Sequence, residues 1–97
     1  MTDTNEQPTP VLFRVLEKEV IALFPTLPGT NDVHTCLSYM HLGQHGSASV
    51  DLIASTRPAT PLLYGPLADE LRQIGYVLDI RKRMTRRHHA ARRASLR

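Results

Sequence analysis

The chain has 97 residues, of which 41% are hydrophobic and 22% charged, and its formal net charge at pH 7 is +3. This length suits one small core and argues against a second independent domain, and the composition excludes a chain that is disordered throughout. The single cysteine, Cys36, excludes an internal disulfide, and no apolar run approaches the roughly 18 residues needed to span a bilayer, so we expect a cytoplasmic protein without a membrane segment.

The beginning of the chain combines a polar leader with a segment of mixed character. Residues 1–9 are predicted to be disordered because they are polar and contain proline. In residues 10–18 the leucines keep a helical spacing, whereas other positions hold strand formers such as Val11 and Phe13. We predict a short helix over 10–18 and a strand over 19–24, with a strand over 10–18 as the alternative.

The middle of the chain alternates loops with short elements. Residues 25–34, PTLPGTNDVH, are predicted to be a loop because proline, glycine, Asn and Asp favour turns. A strand is predicted over 35–42, where Cys36 and Tyr39 fall on opposite faces. The glycines at 43 and 46 end that strand, and Ser47 or Ser49 can cap a short helix over 50–54.

The clearest predicted element is an amphipathic helix over residues 60–74. Thr60-Pro61 is a typical helix start and Gly75 a typical end, while Leu63, Leu67, Leu71 and Ile74 share one face. The alternating stretch YVLDIRKR follows as a strand. The fold class is therefore α+β: one domain over 10–83, a three-stranded sheet covered on one side by the 60–74 helix, followed by a basic tail over 84–97 that is disordered or becomes helical on binding.

Four stretches of the chain carry a resemblance to known proteins. They read VIALFPTLPGTND, TCLSYMHLGQHGSAS, TRPATP and LADELRQIGY. With these stretches the chain resembles a family of small proteobacterial proteins that are often encoded on phages, plasmids or integrated elements. The resemblance implies a bacterial, mobile-element setting and no particular activity. Where the family usually has TPEEY, this chain has TPLLY, which adds apolar surface at Leu62 and Leu63.

The GQHG sequence between the second strand and the short helix is a candidate anion-binding loop. Backbone amides freed by glycine near a helix start can hold a phosphate or carboxylate. The candidate residues are Gly43, Gln44, His45, Gly46 and Ser47. The alternative is a tight turn that uses glycine for its backbone shape alone, since the motif lacks the Lys and Ser or Thr of a P-loop.

Potential zinc ligands crowd the same region, at His34, Cys36, His41 and His45. Their residue types suit zinc, but strand alternation separates them unless the chain bends sharply at Gly43. We therefore predict no metal and no cofactor, and keep Cys36, His41 and His45 as the candidates if one binds. No nucleophile elbow is present either, so an enzyme that uses the GQHG loop is only an alternative.

Charge is strongly polarised along the chain. Residues 1–80 carry four cations against nine acids, a formal charge of −5, whereas residues 81–97 carry +8 and no acid. Arginine binds phosphate through two parallel hydrogen bonds. The predicted phosphate ligands are Arg81, Lys82, Arg83, Arg86, Arg87, Arg92, Arg93 and Arg97. His88 and His89 would add charge below about pH 6.5.

This layout predicts a small non-enzymatic accessory protein that contacts the phosphate backbone of DNA or RNA through its tail. No aromatic residue lies within the tail, so base stacking is not indicated. Besides an enzyme that uses the GQHG loop, two alternatives stay open. The α+β body could bind or inhibit a host or mobile-element protein, or the tail could lie on its own acidic body as a solvated end. The core contains no tryptophan and only two phenylalanines, so a homodimer would add useful buried surface.

Overall fold

The computed structural model describes residues 8–41 and 44–96 and shows an α+β domain. In chain order the strands and helices are β1 (Thr9–Leu16), β2 (Glu19–Pro28), β3 (Thr35–Met40), β4 (Gln44–Ser49), α1 (Asp51–Ser55), β5 (Arg57–Pro58), α2 (Pro61–Ile74), β6 (Leu78–Ile80) and α3 (Arg86–Ala94). None of the helices in this part of the chain has the length and apolarity needed to cross a membrane.

The strands form one six-stranded sheet in the order β4-β3-β2-β1, and β1 has two neighbours on its outer edge. The antiparallel strand β5 pairs with β1 at Arg14 and Val15, and the parallel strand β6 pairs with it over Thr9–Val11. The prediction of three strands was therefore wrong in detail, although the α+β class is confirmed.

Both faces of the sheet are covered. On one face Phe13, Phe24 and Tyr39 pack with Leu67 and Leu71 of α2. On the other face Ile21, Leu23 and Cys36 form a second cluster, against which residues of α1 pack, and α3 packs across β2. Successive residues of β2 alternate between the two clusters, because neighbouring side chains of a strand point to opposite faces. We expected a sheet with one covered face, whereas the structure has three layers, with the sheet between α2 on one side and α1 and α3 on the other.

The segment 10–18 is a strand and a turn, so the predicted helix was wrong. Leu16 pairs with Glu19, which leaves Glu17 and Lys18 as a two-residue hairpin turn. Both have positive φ, 48° and 74°. Turns of this type usually contain Asn or Gly, and neither is present here to mark the hairpin in the sequence.

The 60–74 helix is confirmed as α2, and Gly75 ends it with φ 122°. Its buried face is narrower than predicted, because Leu67, Ala68 and Leu71 are buried, whereas Leu63 and Ile74 are about half exposed. Leu62 is 88% exposed. The final strand is shorter than predicted: it ends at Ile80, so Arg81–Arg83 connect it to α3.

Candidate nucleic-acid interface

The basic segment is attached to the sheet at its start. The Arg81 amide donates a hydrogen bond to the Val11 carbonyl at 2.8 Å, which prolongs the pairing of β6 with β1. A short loop then leads to Thr85, the N-cap of α3. The Thr85 hydroxyl accepts a hydrogen bond from the His88 amide at 3.2 Å, and the His88 Nδ1 accepts one from the Thr85 amide at 3.1 Å. This reciprocal pair is a capping box that determines where α3 begins.

Arg92 holds α3 against the sheet. Its side chain is fully buried, its Nε donates to the Val33 carbonyl at 2.9 Å, and its Nη1 donates to the Pro25 carbonyl at 2.6 Å. A further hydrogen bond joins it to His89. Within residues 8–41 and 44–96 no carboxylate forms a salt bridge with Arg92. Backbone carbonyl oxygens therefore accept the hydrogen bonds of this buried guanidinium group.

These contacts correct two predictions about the tail. Residues 86–94 are a helix docked on β2 and not a free arm. Arg92 is an internal anchor and cannot reach a phosphate while α3 stays docked. The small alanines of the segment could not hold such a helix alone, but the buried side chains of Arg92 and His88 can. Arg92 forms hydrogen bonds to the body, and His88 forms them with the N-cap.

The other cations of the segment that the structure describes are exposed to solvent. The exposed ones are Arg81, Lys82, Arg83, Arg86, Arg87 and Arg93, and we call this set the basic surface. Arg97 lies outside the described residues. Arg81, Arg86 and Arg87 line one shallow groove, and Arg86 also lines the neighbouring groove together with Arg93. Arg86 thus joins the two grooves into one surface.

Little negative charge compensates the basic surface. Arg81 forms a salt bridge with Asp79 at 2.9 Å, and the other five cations of the set form none with the acids of the described residues. Arg93 instead contacts the His89 Nε2 at 2.9 Å. The tail therefore lies on its own body through the buried side of α3, while most of its exposed cations are not neutralised by the acids of the described residues.

The two histidines of α3 do not simply add charge below pH 6.5. Burial, and then the nearby Arg81, lower the pKa of His88 from its ordinary value of 6.5. Burial, and then Arg92 and Arg93, lower the pKa of His89 in the same direction. Both imidazoles are thus kept neutral to a lower pH than an exposed histidine.

This shift predicts a pH dependence of stability. The unfolded chain binds a proton at His88 more readily than the folded protein does. The contribution of neutral His88 to the free energy of unfolding is therefore fully present above about pH 6.5 and is lost as the pH falls through the lower pKa of the folded protein. Protonation also removes the Nδ1 acceptor of the capping box. His88→Gln keeps a side-chain acceptor for the Thr85 amide without titrating, so its free energy of unfolding should fall less between about pH 7.5 and 5 than that of the wild type. Urea denaturation followed by circular dichroism measures the free energy of unfolding of the variant and of the wild type at each pH. An equal change with pH in the two proteins would contradict the role of His88.

The predicted anion loop is not a loop at a helix start. Gln44–Ser49 form β4, an extended strand in antiparallel register with β3, and Gly43 lies outside the described residues. The amides of such a strand point alternately toward β3 and outward, so they do not converge on one anion. His45 packs edge-on against Tyr39 at 4.8 Å between ring centroids and its Nε2 lies 2.8 Å from the Tyr76 hydroxyl.

The candidate metal ligands are also kept apart. Cys36 is buried on the face covered by α1 and α3, whereas His45 contacts Tyr39 on the face covered by α2. His34 is exposed in the loop before β3. Among residues 8–41 and 44–96 no three potential ligands lie close enough to hold a metal ion. Burial raises the pKa of the Cys36 thiol, which makes it a poor nucleophile.

One polar network was not predicted from the sequence. The Tyr39 hydroxyl donates a hydrogen bond to Glu70 of α2, and the His41 Nδ1 lies 3.0 Å from the same carboxylate. The hydrogen bond to Glu70, together with burial, raises the pKa of Tyr39 to about 12. Glu70 is 31 residues away from Tyr39, so no local spacing could have indicated the pair. The network ties the end of β3 to α2.

We compared the chain with family models, with curated proteins and with solved structures, and none of the three comparisons found a match.

Proposed function

We propose that this protein is a non-enzymatic accessory protein that binds the phosphate backbone of nucleic acid through the basic surface. The observation that carries the proposal is that six exposed cations lie on or directly before one docked helix, and that a single one of them, Arg81, is paired with an acid of the described residues. Neutralising phosphates with such cations releases counterions and gives salt-dependent binding with little sequence preference.

The position of the cations within α3 supports the proposal. Arg86 and Arg87 occupy the first turn, which contains no acid. The helix macrodipole places partial positive charge at this end, so cations there are unfavourable by about 0.3–1 kcal/mol each. A phosphate bound at this turn would relieve that repulsion. Because α3 is already docked, binding needs little further ordering of the helix.

The proposal is tested with two variants that each lose three positive charges, one within the basic surface and one outside it. A triple variant that combines Arg86→Gln, Arg87→Gln and Arg93→Gln should bind duplex DNA more weakly than the wild type. The slope of log K against log salt concentration should become less steep by about 2.7, because each lost phosphate contact removes about 0.9. The matched control combines Lys18→Gln, Arg57→Gln and Arg72→Gln, all exposed and outside the basic surface.

Both triple variants have the same net charge, so the comparison separates a local surface from overall charge. Fluorescence anisotropy with labelled DNA and RNA at several salt concentrations measures the affinity and its slope. Equal losses in the two variants would contradict a defined surface. Absence of binding by the wild type would reject the proposal and favour a protein partner at the exposed Leu62 and Leu63.

A further inference from the structure

A partly enclosed cavity lies at the outer edge of β1, at the junction of β5 and β6. Its volume is about 270 Å³. β6 pairs with β1 as far as Val11, and β5 pairs with it from Arg14, so the cavity opens where neither short strand continues. Phe13 and Tyr64 line it together with apolar residues of β5, of the start of α2 and of β6. Arg14, Arg81 and Lys82 complete its lining.

The cavity lies next to the basic surface, because Arg81 and Lys82 of that surface line it and Arg81 also lines the groove that contains Arg86 and Arg87. A ligand that fits both must carry a flat apolar part for the cavity and anionic groups for the cations. A nucleotide unit of a nucleic-acid strand has this combination, with its base on one side of the sugar and its phosphates on the other.

The aromatic lining is held in a defined position. The rings of Phe13 and Tyr64 are stacked, with centroids 4.6 Å apart and an interplanar angle of 12°. Phe13 is only 4% exposed, so it supports one face of the Tyr64 ring from within the core. Tyr64 is half-buried at the cavity and is the ring that an entering base can contact.

We propose that this cavity binds one unpaired base of a DNA or RNA strand whose phosphates contact the basic surface. The inference rests on the proposed function and adds a preference for single strands. A volume of about 270 Å³ lies at the lower end of ligand pockets, so a single base fits and a base pair does not. A base in a duplex would first have to be unpaired and unstacked, at a cost of a few kcal/mol.

The test uses the full chain and three labelled probes of equal length: a single strand with bases, an abasic strand and a duplex. Each is prepared as DNA, and the single strand also as RNA. The base-containing and abasic single strands carry the same number of phosphates. Wild-type protein should bind the single strand about 5- to 100-fold more tightly than the abasic strand, the range expected for one base stacked on an aromatic side chain. Tyr64→Leu should abolish this difference and leave binding of the abasic strand unchanged.

Two further variants sharpen the result. Tyr64→Phe keeps the ring and should keep the difference, and Leu62→Ala, at an exposed position on the same helix, should not affect it. Equal binding of the base-containing and abasic strands by the wild type would overturn the base site and leave the proposed function intact. A difference that persists in a folded Tyr64→Leu protein would also overturn it, and absence of binding to every strand would reject both proposals.

Discussion

Replacing Arg92 by alanine is expected to lower the free energy of unfolding by about 3 kcal/mol or more. Arg92 is the largest fully buried side chain in the described part of the chain. Its removal leaves the buried Pro25 carbonyl and the Val33 carbonyl without their donors and opens a cavity between α3 and β2. Each unsatisfied buried group costs about 1–3 kcal/mol, and the lost packing adds to this cost.

Arg93→Ala is the matched control, since Arg93 is the next residue of the same helix and is exposed. Its effect on stability should stay within about 0.5 kcal/mol, while its effect on nucleic-acid affinity should be measurable. Urea denaturation followed by far-ultraviolet circular dichroism measures the stability of both variants. Equal stabilities would show that α3 is not held by Arg92.

Replacing Gly29 by alanine should also destabilise the protein, by about 1–3 kcal/mol, as overpacking of a close contact does. A Cβ at Gly29 would lie 2.5 Å from the Cys36 carbonyl oxygen and 2.6 Å from the Ser47 Cβ. Both atoms belong to the framework of β3 and β4, so the clash cannot be relieved by rotating a side chain. The loop at Gly29 would have to move away from these two strands.

Gly65→Ala provides a control with the opposite sign. Gly65 lies inside α2, and apart from its chain neighbours and the backbone of its own helix no atom lies within 4 Å of the place where its Cβ would be. Alanine is favoured over glycine within a helix by about 0.5–1 kcal/mol. Pro66 follows directly in the helix and restricts the residue before it, so this variant should be more stable than the wild type by about 0.5 kcal/mol or less. Thermal unfolding of the two variants checks both signs, and a stabilised Gly29→Ala protein would contradict the close approach of the loop to β3.

The sequence was sufficient where local signals agree with one another. Thr60-Pro61, Gly75 and the leucine spacing between them predicted α2 within a residue at its start. The alternation after residue 35 predicted β3 and the opposite faces of Cys36 and Tyr39. In both elements propensity, pattern and end signals favour the same structure, which is the condition for a local prediction to hold.

Predictions from local sequence patterns failed where pairing between distant strands determines the secondary structure. β1 contains leucines at helical spacing, but it is a strand because it pairs with β2 on one side and with β5 and β6 on the other. β4 has the composition of a loop, QHGSAS, and is extended because it pairs with β3. Strand pairing joins residues that are distant in the chain, so neither element could be identified from its own composition.

By itself the sequence determined that eight cations lie together after residue 80 and that the preceding part of the chain is acidic. The tertiary structure alone decided which cation is internal. Arg92 and Arg93 are neighbours in the sequence, yet one is fully buried and the other exposed, because the direction of a helical side chain depends on which face of α3 docks. The same applies to Phe13 and Tyr64, which meet beside Arg81 only because β5 and β6 share one edge of β1. Charge content is a property of the chain, whereas the position of a charge or a ring relative to a partner depends on packing between distant segments.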